Sequence, residues 1–382
     1  MNDRSDLHRT MTGWRRDLHR HPEFGFEEHR TAAFVARTLR DLGFDVAEGI
    51  GGTGVVGTLA RGGSNRAIAL RADMDALRID EATGADWASA TPGTMHACGH
   101  DGHTAMLLGA AGLLAQEGGF DGTLRLVFQP AEEWGCGAQA MLDDGLLSRF
   151  PFDEIYGLHN LPGLPVGHVE TRAGAIMSAE DIFEITLNGQ GGHAAQPHRA
   201  REVMLPAAGL VQALHSIVSR RLDPADVAVL SVTELTTDGA RNVLPGRAVI
   251  RGDVRSFRSE VSARIEEQMR RIAAGVAAQH GIEADVSYRR EFVPLLNDAD
   301  LTAAVAEAAR PVSAAVDVEA APMTASEDFA RFLAHVPGCF AFIGNGEASA
   351  PLHSPAYDFN DDALIHGARL LAAIVARRLP EG

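Results

Sequence analysis

The chain has no lysine: every basic side chain among its 382 residues, histidine aside, is an arginine. That excludes a Schiff-base lysine for pyridoxal phosphate, a serine–lysine dyad and the lysine of a Walker-type phosphate loop. A GxSxG elbow is also missing, which weakens a serine-hydrolase reading. Cysteine is scarce, at three residues, an odd number that cannot pair evenly and points to no oxidising compartment. Long apolar runs are absent, since "AMLLGAAGLLA" from Ala105 is far too short to span a bilayer. The opening "MNDRSDLHRTMTGW" lacks the apolar centre of a signal peptide, so a cytoplasmic protein is expected. Positive charge is in deficit, and a net charge of -17 disfavours nucleic acid or an anionic membrane as partner. An anionic substrate would then need locally placed arginine.

What is present is ordinary globular material, 46% hydrophobic and 22% charged, and its length suggests two domains. Helical periodicity covers "DLHRTMTGWRRDLHR" and "EEHRTAAFVARTLRDLG", with Gly43 as a stop. "TGVVGTLA", "RAIALRA", "GTLRLVFQ" and "EIYGLHN" read as strands, with a helix from about Asp101 to Leu114 among them. Such alternation favours an α/β layer with a largely parallel sheet. From about Ser178 the texture changes, and "DIFEITLNGQ" alternates with period two. The order strand, helix, strand, strand, helix, strand follows, with Val261, Ile265, Met269, Ile272 and Val276 on one face of the second helix. This fits a ferredoxin-like α+β unit inserted into the larger domain. The α/β texture resumes near Pro294 and ends in the amphipathic "DDALIHGARLLAAIVARRL".

Polar clusters fall at the ends of the first domain's strands. Asp73 and Asp75 follow "RAIAL", Glu132 and Glu133 follow "LRLVF", and His159 follows "EIY". In open α/β sheets that edge binds ligands. Alone, each residue is as readily a turn, a solvated face or a structural histidine. Together with Cys98, His100 and His353 they supply the mixed sulfur, nitrogen and oxygen set that a borderline metal accepts. Asp101 is expected to cap the following helix or to orient a ligating imidazole. His96 and His103 are expected to be structural or to lie outside the ligand set. Cys98 as a nucleophile is the competing reading, but surrounding carboxylates would raise its pKa. Of two adjacent carboxylates, one can hold metal while the other moves a proton, which points to metal-assisted hydrolysis.

The motifs "RADMDAL", "TPGTMHACGHDGHT", "FQPAEEWGCGAQAM", "GLHN", "GQGGHAAQPH", "NVLPG", "GDVRSF", "SEDFA", "FIGNG" and "LHSPAYDFND" occur in this order. Over essentially the whole chain they resemble the amidohydrolase branch of the dinuclear aminoacylase and carboxypeptidase metallopeptidase family. That branch includes hippurate hydrolases, N-acyl-L-amino acid amidohydrolases and auxin-conjugate hydrolases. The resemblance implies a zinc-peptidase-like catalytic domain, residues 1–179 and 292–382, with an inserted lid and dimerisation domain at 180–291. It implies two divalent ions (zinc, manganese, cobalt or nickel) on Cys98, His100, Glu133, His159 and His353. Glu132 matches the general base, and Asp73 the acidic residue behind the metals.

His193 matches a histidine that polarises the scissile carbonyl, in some relatives from the partner subunit. Asn242 and Arg255 match residues near the substrate, and Arg255 is expected to meet a carboxylate. The implied reaction is hydrolysis of the amide bond of N-acyl amino acids, by a homodimer or higher oligomer formed through the lid. A dipeptidase, a carbamoyl amino acid hydrolase or an N-acetyl-diaminopimelate deacetylase would keep the same fold. A non-catalytic metal-dependent binding protein is disfavoured, because it has no need of Glu132 beside Glu133. Two departures stand out. Arg71 lies where relatives outside the branch carry a metal-binding histidine, and Arg78 replaces the proline of the usual "DALP".

Overall fold

The computed structural model describes residues 4–381. The chain divides into two compact units: Met1–Ile176 with Leu296–Ala321 and Glu327–Gly382, and Met177–Leu295 with Pro322–Ser326.

The first unit is built on an eight-stranded sheet. Its spatial order is Asp45–Ile50, Gly54–Arg61, Gly122–Gln129, Ala67–Asp73, Glu154–Pro162, Gly338–Gly346, His168–Glu170 and Ala315–Asp317. The four central strands run parallel; Gly54–Arg61 on one side and His168–Glu170 on the other pair with them antiparallel, and Ala315–Asp317 runs parallel to His168–Glu170. Covering a parallel sheet on both faces calls for unbroken apolar runs, and "GCFAFIGN" in Gly338–Gly346 is buried from end to end. Asp45–Ile50, His168–Glu170 and Ala315–Asp317 carry no such run, and sequence periodicity gives no sign of them.

The helix His100–Glu117 is buried at every position from His100 to Gly112. It packs against the helices Arg4–Arg20 and Asp362–Arg378. Small residues permit this: a Cβ on Gly109 would lie 2.1 Å from Met11 Sδ. At its start Gly99 has φ +98° and lies so close to Asn160 and Tyr357 that a Cβ would stand 2.3 Å from Asn160 Nδ2. Only glycine satisfies both conditions.

The second unit has an antiparallel four-stranded sheet in the order Ala228–Thr237, Arg247–Ser256, Ala179–Asn188, Glu283–Phe292. Two helices, Met204–Arg221 and Ser259–His280, complete a ferredoxin-like arrangement of strand, helix, strand, strand, helix, strand. Ala179–Asn188 alternates buried and partly buried residues along most of its length, as a sheet with one packed face requires. Val261, Ile265 and Met269 are buried in this unit's own core, with Ile272 and Val276 packed against it. Gly281, at φ +63°, ends the second helix.

Candidate metal centre

Three neighbouring parallel strands of the first unit bring the polar clusters to one edge of the sheet. Ala67–Asp73 leads to Asp73 and Asp75, Gly122–Gln129 to the short turn Glu132–Trp134, and Glu154–Pro162 carries His159. Cys98 and His100 lie at the start of the buried helix, and His353 comes from the loop before Asp362–Arg378. Among the described residues only three non-glycines have positive φ: Phe26 (63°), Ala131 (47°) and His353 (62°). His353 is itself in the predicted ligand set, and Ala131 immediately precedes Glu132. Strained backbone of this kind persists where the surroundings over-determine it, commonly at functional sites.

The donor atoms converge. Cys98 Sγ stands 3.4 Å from His159 Nε2, and His353 Nε2 stands 3.4 Å from Glu133 Oε1. Cys98, His100 and His159 form one triad of potential ligands, Cys98, Glu133 and His353 a second, and His100, Glu132 and Glu133 a third. The thiolate position is common to the first two.

Hydrogen bonds fix which imidazole nitrogen is available. His159 Nδ1 donates to the Asn160 carbonyl oxygen at 2.7 Å, which leaves the Nε2 lone pair toward Cys98. His100 Nδ1 donates to Asp75 Oδ1 at 3.1 Å, which leaves its Nε2 lone pair facing Glu133. Metal-binding histidines are held in this way, through the nitrogen that does not bind. His103 is different: Nδ1 donates to Asp73 Oδ1 at 2.7 Å and Nε2 accepts from Asn160 N at 3.0 Å, so neither nitrogen is left for a ligand.

The residues fit a divalent pair. His100 Nε2 and Glu133 Oε1 are buried, 3.9 Å apart, and neither has a hydrogen-bond partner among the described residues. An imidazole nitrogen and a carboxylate oxygen buried this close call for positive charge between them, a proton on His100 without metal or a divalent cation in its place. The electrostatics agree. Burial pushes the Cys98 thiol well up, with Glu133, Glu132 and Asp73 adding to the effect. A thiol so placed is no free nucleophile, but it ionises readily on a metal. Burial lowers the His100 pKa, yet Asp73, Asp75 and Glu133 outweigh it and push the imidazole up to about 10. The cluster therefore holds more negative charge than its own side chains offset.

Glu132 sits at the inner wall, buried, with Oε1 accepting from Asp328 N at 3.3 Å. Burial raises its pKa well above the carboxylate range, assisted by Glu327, Glu133 and Asp328 and opposed by Arg71. Arg71 is buried and fully engaged. It donates to Gln129 Oε1 (2.8 Å), Asp73 Oδ2 (2.7 Å), Glu327 Oε1 (2.9 Å) and Asp328 Oδ1 (3.2 Å). Asp73 thus lies between Arg71 and His103, and its backbone oxygen accepts from Thr104 Oγ1.

Asp101 departs from expectation. It neither caps the helix nor orients a ligand of the cluster; its Oδ2 pairs with His19 Nδ1 at 2.8 Å, with Arg15 at 3.8 Å. Successive helical residues point about 100° apart, so with His100 toward the cluster Asp101 meets the helix Arg4–Arg20. Sequence reasoning placed Asp75 at the sheet edge but gave it no partner; its two oxygens hold His100 and the Glu133 N–H (3.0 Å). The available signal was the second aspartate of "RADMDAL". Sequence reasoning missed the Arg71–Glu327–Asp328 group, for which "SEDFA" was the only clue.

The remaining predicted residues belong to the second unit. His193 pairs in register with Val243, and Ala194 N donates to the Asn242 carbonyl at 3.0 Å. These bonds bring His193 and Asn242 together. His193 Nδ1 accepts from Ala195 N at 3.0 Å, so the ring presents an exposed Nε2–H donor. Arg255 is paired with Glu180 and Asp253, both at 2.9 Å, and donates to Ser326 Oγ at 2.9 Å.

Residues 69–377 match the family described as Peptidase family M20/M25/M40. The chain belongs to this family. It is 40% identical over 376 residues to an N-acetyl-L-cysteine deacetylase of Bacillus subtilis, covering 98% of this chain and 89% of the relative. It is 38% identical to a hippurate hydrolase of Campylobacter jejuni, covering 98% of each. Among solved structures, the YXEP protein of Bacillus subtilis, described as a dinuclear metal-binding peptidase of the family, superposes with TM-score 0.86. That pair shares 34% identity over 98% of this chain and 99% of the other. Among the described residues no helix is long and apolar enough to cross a membrane.

Proposed function

We propose that this M20-family chain hydrolyses the amide bond of N-acyl amino acids in a metal-dependent reaction, releasing a carboxylic acid and an amino acid. The observation that carries this is the convergence of five potential ligands, Cys98, His100, Glu133, His159 and His353, beside a buried Glu132. Relatives named as a deacetylase and as a hippurate hydrolase support the acyl amino acid class.

Two divalent ions held by Cys98, His100, Glu133, His159 and His353 would supply Lewis acidity toward an amide carbonyl and acidify water. Glu132 takes the proton of the attacking water and delivers it to the leaving amine. Its burial and acidic neighbours favour the protonated form that this second half requires. His193 donates its Nε2–H to the carbonyl oxygen as negative charge develops there. Asn242 and Arg255 contact the substrate, Arg255 while paired with Glu180 and Asp253. Asp73 supports the site by holding His103 and Arg71 in place.

We further propose that residues 1–179 and 292–382 act as the catalytic domain, with 180–291 as the lid of a cytoplasmic homodimer. The lack of any disulfide among the described residues supports a reducing compartment.

The test is Glu132→Gln, assayed with metal content measured alongside on a panel of N-acyl amino acids. Metal binding should persist while kcat falls by about 10²- to 10⁴-fold. Full activity in the variant would remove Glu132 as the proton carrier. A wild-type enzyme inert on the whole panel would remove the amidohydrolase reading.

A further inference from the structure

Next to Glu133 and Asp75 in the chain lies an aromatic and cationic group. Trp134 directly follows Glu133 and is 50% exposed, although a side chain this large gains much from burial. Phe24 packs edge-on against it at 5.1 Å between ring centres, and Phe26 at 6.4 Å. The two phenylalanines are fixed to the site by backbone contacts. Ala76 N donates to Glu23 O at 2.8 Å, and a Cβ on Gly25 would lie 3.0 Å from the Ala131 Cβ. Phe26 is one of the three residues held at positive φ.

Arg78 stacks on Phe24, its guanidinium 4.0 Å from the ring centre. Stacking uses the face of the guanidinium and leaves its N–H edge open. Among the described residues Arg78 has no ion-pair partner, in a chain of net charge -17 that has carboxylates to spare. It lies three residues beyond Asp75, so its Cα is at most roughly 11 Å from that of a residue touching His100. Arg255, by contrast, already meets two carboxylates.

We propose that Phe24, Trp134 and Arg78 form a specificity subsite for a short N-aroyl amino acid. The aromatic acyl ring packs on Trp134 and Phe24, and the free carboxylate takes the N–H edge of Arg78. Trp134 and Arg78 both contact Phe24, at 5.1 and 4.0 Å, so the two lie close enough for one short molecule to reach both. This rests on the amidohydrolase reading and deepens it, because it names the side chains that choose the substrate.

The experiment compares N-benzoylglycine, N-acetylglycine and N-benzoylglycinamide on the metal-loaded wild type, Trp134→Ala and Arg78→Gln, with folding checked by thermal melts. Binding of N-benzoylglycine is measured in parallel by calorimetry in the Glu132→Gln background. Trp134→Ala should lower the benzoyl-to-acetyl ratio of kcat/KM by about tenfold. Arg78→Gln should raise KM and Kd for N-benzoylglycine by about tenfold while leaving the glycinamide unchanged. Folded variants that keep the wild-type ratios and affinity would overturn the subsite while the amidohydrolase reading stands. Calorimetric losses in both variants, with no hydrolysis by wild type, would keep the subsite and sink the reaction.

Discussion

His100 can turn Nε2 to the cluster only while its Nδ1–H is held, and Asp75 Oδ1 holds it at 3.1 Å. The other oxygen of Asp75 takes the Glu133 N–H at 3.0 Å, so one carboxylate sets the direction of two potential ligands. Asparagine at this position can accept only one of those bonds and would aim an N–H at the other donor. Asp75→Asn should weaken metal binding by about 10- to 100-fold, read by competition with a chromophoric chelator. Unchanged affinity would mean that His100 is oriented by something else. The convergence of Cys98, His100, Glu133, His159 and His353 could be anticipated because thiol, imidazole and carboxylate together carry a chemical signature of their own. Asp75 was half readable, visible as an acid at the sheet edge but without a partner. The Arg71 group was not readable, since Glu327 and Asp328 lie more than 250 residues along the chain and only the fold closes the distance. Asp101 shows the opposite error. A sequence neighbour of a ligand need not share its surroundings, because the helix turns it away.

Elements were legible where burial imposes a period. The ferredoxin-like unit could be read because Ala179–Asn188 alternates and Ser259–His280 keeps a helical stripe. The last two strands of the first sheet, His168–Glu170 and Ala315–Asp317, are three residues each, too short for any period to show. One edge has a consequence for assembly. Ala228–Thr237 is the outermost strand of the second sheet, ten residues long, with Val229 and Leu235 exposed. A long open edge with apolar side chains is a template for pairing with another strand, and proteins that stay monomeric blunt such edges with charge. The proposed homodimer would use it. Sedimentation should then give twice the chain mass of 40.6 kDa for wild type, and Val229→Lys with Leu235→Lys should give monomer with unchanged circular dichroism. A wild-type monomer would remove the dimer, and a dimer unaffected by both lysines would place its interface elsewhere.

At the scale of the molecule, the two compact units have separate cores, and all five potential metal ligands belong to one of them. That unit buries Asp73, Asp75, Glu132, Glu327 and Asp328, with Glu133 nearly so, and among the described residues Arg71 is the one guanidinium that pairs with this group. Taking the ions away leaves that negative charge without its counter-charge, while the ferredoxin-like core of Phe183, Ile185, Leu214 and Ile265 is untouched. Metal binding stabilises a folded state by mass action, about 4 kcal/mol at a thousandfold excess over Kd. For a unit of this size that corresponds to a shift on the order of 10 °C in Tm. Calorimetry of the chelator-treated and metal-loaded protein should therefore resolve two transitions, of which only one moves. Its identity can be fixed with Ile265→Ala, a core truncation in the second unit that should lower the other transition alone. If chelation moved both transitions equally, or neither, the ions would not be bound where the orphaned His100 and Glu133 atoms place them.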